Sequence, residues 1–246
     1  MDPDVVKSLA RWPNVPAAYG WLSLTPRGLW RFHAEGRAAE GAAGDQISNE
    51  RITAFINRNF EHDAQGNWFF QNGPQRAYVR IDAAPLVLRY STDNNALVTH
   101  TGHPCGAVSH WWLDETGRLF ATTDGGPCVV DDRELMRVLD DLSVASEPDL
   151  NLVQGAGLPG NAPDASLIKP GTGSAMDHNA GITSHENNAL LEAMSALEPG
   201  QSIEIAHRLS PQSAPLTRID SQDIAASLGF VACPVPSQPA THPVAP

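Results

Sequence analysis

WLSLTPRGLWRF (residues 21–32), FEHDAQGNWFF (60–70) and WWLDETGRLF (111–120) carry one pattern three times. Aligned on Gly28, Gly66 and Gly117, each has a short polar residue three positions before the glycine: Thr25, Asp63 or Asp114. Each has a large apolar residue two positions after it: Trp30, Trp68 or Leu119. Each stretch reads as two β-strands joined by a tight turn. The glycine supplies a left-handed backbone position, and the Thr or Asp side chain accepts a backbone hydrogen bond where the turn starts. The echo arises either from repeated units or from the same turn chemistry reached independently, and both origins give antiparallel hairpins.

Between the hairpins, 77–81, 86–90 and 96–100 read as further strands. Ser48 is placed to cap a helix over SNERITAFINRN, whose Ile52, Phe55 and Ile56 share a face. Asp131 and Glu134 form a capping-box pattern ahead of Leu135, Val138, Leu139 and Leu142. Further on, SHENNALLEAMSAL from Ser184 reads as a helix with Leu190, Leu191, Met194 and Leu197 on one stripe, stopped by Pro199 and Gly200. Strands near 202–206 and 215–219 and a short helix ending before Gly229 follow. Regular alternation of strand and crossover helix is missing, so the expected class is α+β, with predominantly antiparallel β-hairpins and a few short helices.

Charge and proline divide the chain near residue 146. Before it stand 13 Lys and Arg against 18 Asp and Glu; after it, 3 against 10, together with 12 of the 20 prolines. The expected organisation is an aromatic-rich hairpin domain over 1–146, a Pro/Gly-rich linker or long loop over 147–183, a smaller α+β region over 184–233 packed on the first, and a flexible tail over 234–246. The 246 residues are enough to bury a sizeable core. With a net charge of -12 and only 16 basic residues, general nucleic-acid binding is excluded from the expectation. The first residues lack the basic start and apolar core of a secretory signal, and no apolar run is long enough for a membrane span. Three cysteines are too few for a disulfide scaffold, so a cytoplasmic location with reduced thiols is expected, with Cys105 and Cys128 as the one pair to test.

The densest polar chemistry is HTGHPCGAVSHWW (100–112), where His100, His103, Cys105 and His110 fall within eleven residues. Nitrogen and sulfur donors of this kind suit zinc or copper, and Gly102, Pro104 and Gly106 can bend the loop toward one point. The spacing matches no zinc-finger signature, and the competing reading makes these residues turn and core. Thiol catalysis at Cys105 or Cys128 has no enclosing motif, and no catalytic residue is assigned. Aromatic residues offer a second kind of site. Trp68 and Trp111, with Arg76 and Arg80 nearby in sequence, can bind an anionic small molecule, a peptide or a protein through apolar area and charge-assisted hydrogen bonds.

GNWFFQNGPQRAYVRIDAAPLVLRY, LVTHTG and WWLDETGRLF together resemble a conserved bacterial family of uncharacterised function, mainly over 10–145. RIDSQDIAASLGFV resembles that family's closing segment, within 215–235. The resemblance implies a shared folded unit and carries no activity, cofactor or catalytic residue. The sequence therefore leads to a cytoplasmic ligand-binding or protein-interaction module, with regulation as one use. The alternative is a metal-dependent hydrolase or oxidoreductase at residues 100–110.

Overall fold

The computed structural model describes residues 1–93, 96–145, 180–208 and 212–236, with the side chains of 180–187 left aside. The chain folds as α+β around two mixed sheets. The first comprises β1 (Ala18–Leu24), β2 (Trp30–Phe32), β3 (Asp45–Gln46), β4 (Phe60–His62), β5 (Trp68–Asn72) and β6 (Gln75–Ile81), in the order β3-β2-β1-β6-β5-β4. The second comprises β7 (Leu86–Tyr90), β8 (Leu97–Thr99), β9 (Val108–Leu113), β10 (Leu119–Thr123), β11 (Gly126–Val130), β12 (Leu142–Val144), β13 (Ser202–His207) and β14 (Ser213–Arg218), in the order β12-β13-β14-β9-β10-β11-β7-β8. Most neighbours are antiparallel. The parallel pairs are β1 with β6, β7 with β11 and β9 with β14.

The three echoed stretches are the hairpins β1–β2, β4–β5 and β9–β10. Their turns share one hydrogen-bond pattern. Gly28, Gly66 and Gly117 take φ of +68°, +80° and +81°. The N–H of each glycine donates to the carbonyl of Thr25, Asp63 or Asp114. The side-chain oxygen of that residue accepts the N–H four positions on, from Leu29, Asn67 or Arg118, at 2.8 to 3.0 Å. The large residue after each glycine is buried: Trp30 is 2 % exposed, Trp68 5 % and Leu119 1 %.

Among the described residues, five α-helices pack around the sheets: α1 (Pro3–Arg11), α2 (Glu50–Arg58), α3 (Leu135–Asp140), α4 (Ala180–Ala196) and α5 (Ile224–Ser227). The cap of α2 is Asn49 rather than Ser48, its side chain accepting from the N–H groups of Arg51 and Ile52. Of the face expected to be buried on α2, Ile56 is buried and Phe55 packs on the core, while Ile52 is 49 % exposed. Leu190 and Met194 of α4 are buried, and Leu191 faces outward. Leu142, expected on α3, begins β12 instead.

The second sheet runs across residue 146, since β12 pairs with β13 and β14 with β9. Its core holds Trp111, Leu113, Leu216, Ile205 and Val138 in one cluster with Trp30, Trp68 and Phe60 of the first sheet's hairpins. The segment after α5 closes back on the first sheet: Val231 donates to the Gly66 carbonyl, and Ile81 donates to that of Ala232. The expected linker over 147–183 lies outside the described residues except at its end, where α4 has begun; of the expected tail, 237–246 lie outside them. Among the described residues no helix is long and apolar enough to cross a membrane.

Candidate functional site

A cleft of about 440 Å³ opens where the two sheets meet. The first sheet contributes Phe60 and His62 of β4 and Trp68 of β5; the second contributes Leu86 of β7, Thr99 of β8, and Thr101, His103 and Pro104 of the loop that follows. The C-terminal end of α2 adds Asn57 and Arg58. Trp68 spans the junction. Its indole stacks at a tilt on Phe60, with ring centres 4.9 Å apart, and a side chain grafted at Gly126 of β11 would stand 3.5 Å from it.

Polar groups at this cleft divide into fixed and free. Asn57 is fixed: its Oδ1 accepts the Trp30 indole N–H at 2.7 Å and its Nδ2 donates to the His100 carbonyl at 3.2 Å. Arg58 is held by Asp2 and donates to the Ala54 carbonyl. The Thr99 and Thr101 hydroxyls bond each other at 2.7 Å. His62 stacks at a tilt against Trp68 with centres 5.0 Å apart, and its Nδ1 lies 3.1 Å from the Asp63 carbonyl, which leaves Nε2 without a protein partner among the described residues. The exposed His103 imidazole has none either. Chemically, the cleft offers an aromatic and aliphatic floor, an imidazole from each wall, a hydroxyl pair and the Glu61 carboxylate, which pairs with the Met1 ammonium at 3.5 Å. Such a surface can hold a planar ring and hydrogen-bond its edge.

The residues expected to ligate a metal are dispersed. His100 is half-buried as a residue with its Nε2 enclosed, its ring 6.1 Å from Trp30 and 6.2 Å from Phe60, and its Nδ1 accepts the Val87 N–H at 3.2 Å. Burial, with the charge of Arg89, pushes it down to about 3. Cys105 is buried and turns its thiol to the Gly106 carbonyl. His110 stacks on Trp112 at 4.0 Å, as alternation along β9 requires, and its Nε2 meets the Thr217 hydroxyl at 2.7 Å, tying β9 to β14. His103 alone of the four reaches the cleft. Among the described residues no three His, Cys, Asp or Glu side chains come together as a metal site. The expected Cys105–Cys128 pair consists of two free thiols. Burial raises both, Cys128 up to about 12, the opposite of what a reactive thiolate needs.

The aromatic and arginine residues are likewise separated. Trp68 lines the cleft. Trp111 is 1 % exposed and belongs to the core, because the β9 face it occupies is the one turned inward. Arg76 lies over the Phe69 ring at 4.4 Å, and Arg80 is bound by Asp82 and the carbonyls of Ala38 and Ala42. Sequence reasoning missed His62, Asn57, Thr99 and Thr101. His62 had a signal, one residue before the Asp63 turn and therefore at a hairpin mouth; the others join the site only because β8 is brought beside α2. A separate apolar groove of about 480 Å³ runs between α2 and the first sheet, with Trp21, Phe32 and Ile52 at 39 %, 42 % and 49 % exposure.

A family model described as "Protein of unknown function (DUF2946)" matches residues 1–235. No curated protein matches the chain. Among solved structures, the chain is similar to a DUF1285 family protein from Silicibacter pomeroyi DSS-3, at 13 % identity and a TM-score of 0.39, covering 56 % of this chain and 77 % of that one.

Proposed function

The chain belongs to the family of unknown function whose model matches residues 1–235, a family whose description assigns no activity, and on that premise we propose that the protein is a small-molecule-binding module whose site is the cleft between the sheets. The observation that carries the reading is the pair of imidazoles, His62 from one sheet and His103 from the other, set at a floor made by Trp68. A volume of about 440 Å³ falls within the range of roughly 300–1,000 Å³ usual for small-molecule sites. The mixture of apolar floor and few polar groups is also usual there, the apolar area giving affinity and the polar groups orientation. The ligand class that fits is a planar heteroaromatic with acceptors or donors on its edge.

Titration with adenine, nicotinamide and indole, followed by tryptophan fluorescence, tests this. Binding by at least one probe is expected, weakened about tenfold or more in both His62→Ala and His103→Ala, a loss of about 1.4 kcal/mol. Both side chains are exposed, so the variants keep the fold. Binding that survives both substitutions unchanged contradicts the proposal.

A further inference from the structure

We infer that a second, separate cleft beside the β1–β2 turn is a binding site for a small amphiphilic anion, an oxyanion carried on a short apolar body. The cleft, of about 310 Å³, places Arg27, Arg31 and Arg118 around a floor containing Leu29 and Val129. Its one carboxylate, Asp132, is occupied by Arg27 in a two-point pair at 2.8 and 2.6 Å. The adjacent Asp131 is saturated in the same way, bound by Arg89 at 3.0 Å and Arg133 at 2.6 Å.

Among the described residues, two of the three guanidiniums are left without a carboxylate. Arg31 is oriented by the carbonyls of Ala43 and Gly44, at 3.0 and 3.3 Å, which fix its direction without cancelling its charge. Arg118 has no side-chain partner among the described residues, and the Asp114 turn holds its backbone in place at the mouth. In a chain of net charge -12 with only 16 basic residues, three guanidiniums meeting one carboxylate at a single cleft is a local reversal of sign. Guanidiniums match carboxylate and phosphate oxygens two at a time, so either group completes the cluster. The apolar floor adds the second half of the specificity. None of this depends on the proposed function, because the cleft shares no residue with the one at Trp68.

The test is an amide-detected NMR titration of the full chain with inorganic phosphate, hexanoate and hexyl phosphate, at about 50 and 200 mM salt. Hexanoate or hexyl phosphate is expected to shift the amides of Leu29, Arg31 and Arg118, more tightly at the lower salt, and the tighter of the two identifies the oxyanion. Arg118→Gln, on an exposed turn, is expected to weaken binding about tenfold, while Arg51→Gln on α2 leaves it unchanged. Equal weakening by both substitutions overturns the site as mere screening. Phosphate binding as tightly as hexyl phosphate overturns the apolar half, and no shift with any probe overturns the whole. Shifts confined to His103 and Trp68 would support the other cleft and overturn this one.

Discussion

The backbone N–H of Val87 donates to Nδ1 of His100 at 3.2 Å, so the proton of the neutral ring sits on Nε2, which is buried with no partner among the described residues. A second proton has nowhere to go. Burial drives the pKa of His100 far below its ordinary value of about 6.5.

Stability is therefore expected to fall as pH drops below about 6.5. The unfolded chain takes up the His100 proton near pH 6.5 and the folded chain does not until about pH 3, so each unit between costs about 1.4 kcal/mol. Burial lowers His33, His110 and His207 as well, in the same direction. Below about pH 4 the carboxylates add to the loss. Burial alone would raise Asp131, but hydrogen bonds from Arg133 and the charges of Arg133 and Arg89 hold it well below the usual range. Urea midpoints at pH 7.5 and 5.0 check the slope, which His100→Gln should make shallower.

Gly28→Ala and Gly117→Ala separate backbone strain from crowding. Both glycines have the same turn geometry, but a Cβ at Gly28 would stand 2.7 Å from the His100 Cβ, whereas at Gly117 nothing lies within 4 Å. The left-handed conformation costs a non-glycine residue about 1–2 kcal/mol. Gly117→Ala should lose about that much, and Gly28→Ala a further 1–3 kcal/mol from overpacking. Equal losses in chemical denaturation would contradict the contact with His100.

The Asp114 turn makes a similar prediction about hydrogen bonds. Its Oδ1 accepts from Thr116 N, Thr116 Oγ1 and Arg118 N, at 2.9, 2.7 and 2.8 Å, and the residue is fully buried. Asp114→Ala strips three donors of their acceptor and should cost about 2–3 kcal/mol. Asp114→Asn keeps an oxygen there and should cost less than half as much in the same measurement.

Thiol accessibility follows burial. Cys233 is half-buried, while Cys105 and Cys128 are enclosed and their thiols raised. An aromatic disulfide reagent at pH 7.5 should react quickly with Cys233 alone, and with Cys105 and Cys128 only at the rate of opening. Three fast thiols would show that the β9–β11 region is looser than its packing implies.

The hairpins were legible in the sequence because their turns are local. A glycine forced to positive φ and an Asp or Thr three residues earlier describe Gly66 with Asp63 and Gly117 with Asp114 without any tertiary information. Helix α4 was legible for the same reason, through the periodicity of Leu190 and Met194. The parallel pairings of β1 with β6 and β9 with β14 were not, since they join segments far apart in sequence and leave no local mark. The candidate site shows the same division. Trp68 and His103 could be singled out one by one, but their meeting depends on packing one sheet against the other. The histidine-rich loop misled for a physical reason: alternation along β9 and the burial of His100 direct those side chains to different surroundings, so nearness in sequence did not become nearness in space.

Whether the two walls form one site is read from side-chain NMR of the His62 and His103 imidazoles during titration with the tightest of adenine, nicotinamide and indole. If the cleft between the sheets is the binding site, both imidazoles shift along one binding curve with a single Kd, and the Trp68 indole N–H shifts with them. If neither imidazole moves while the probe binds, or only one does, the two walls do not form a common site and the account is contradicted.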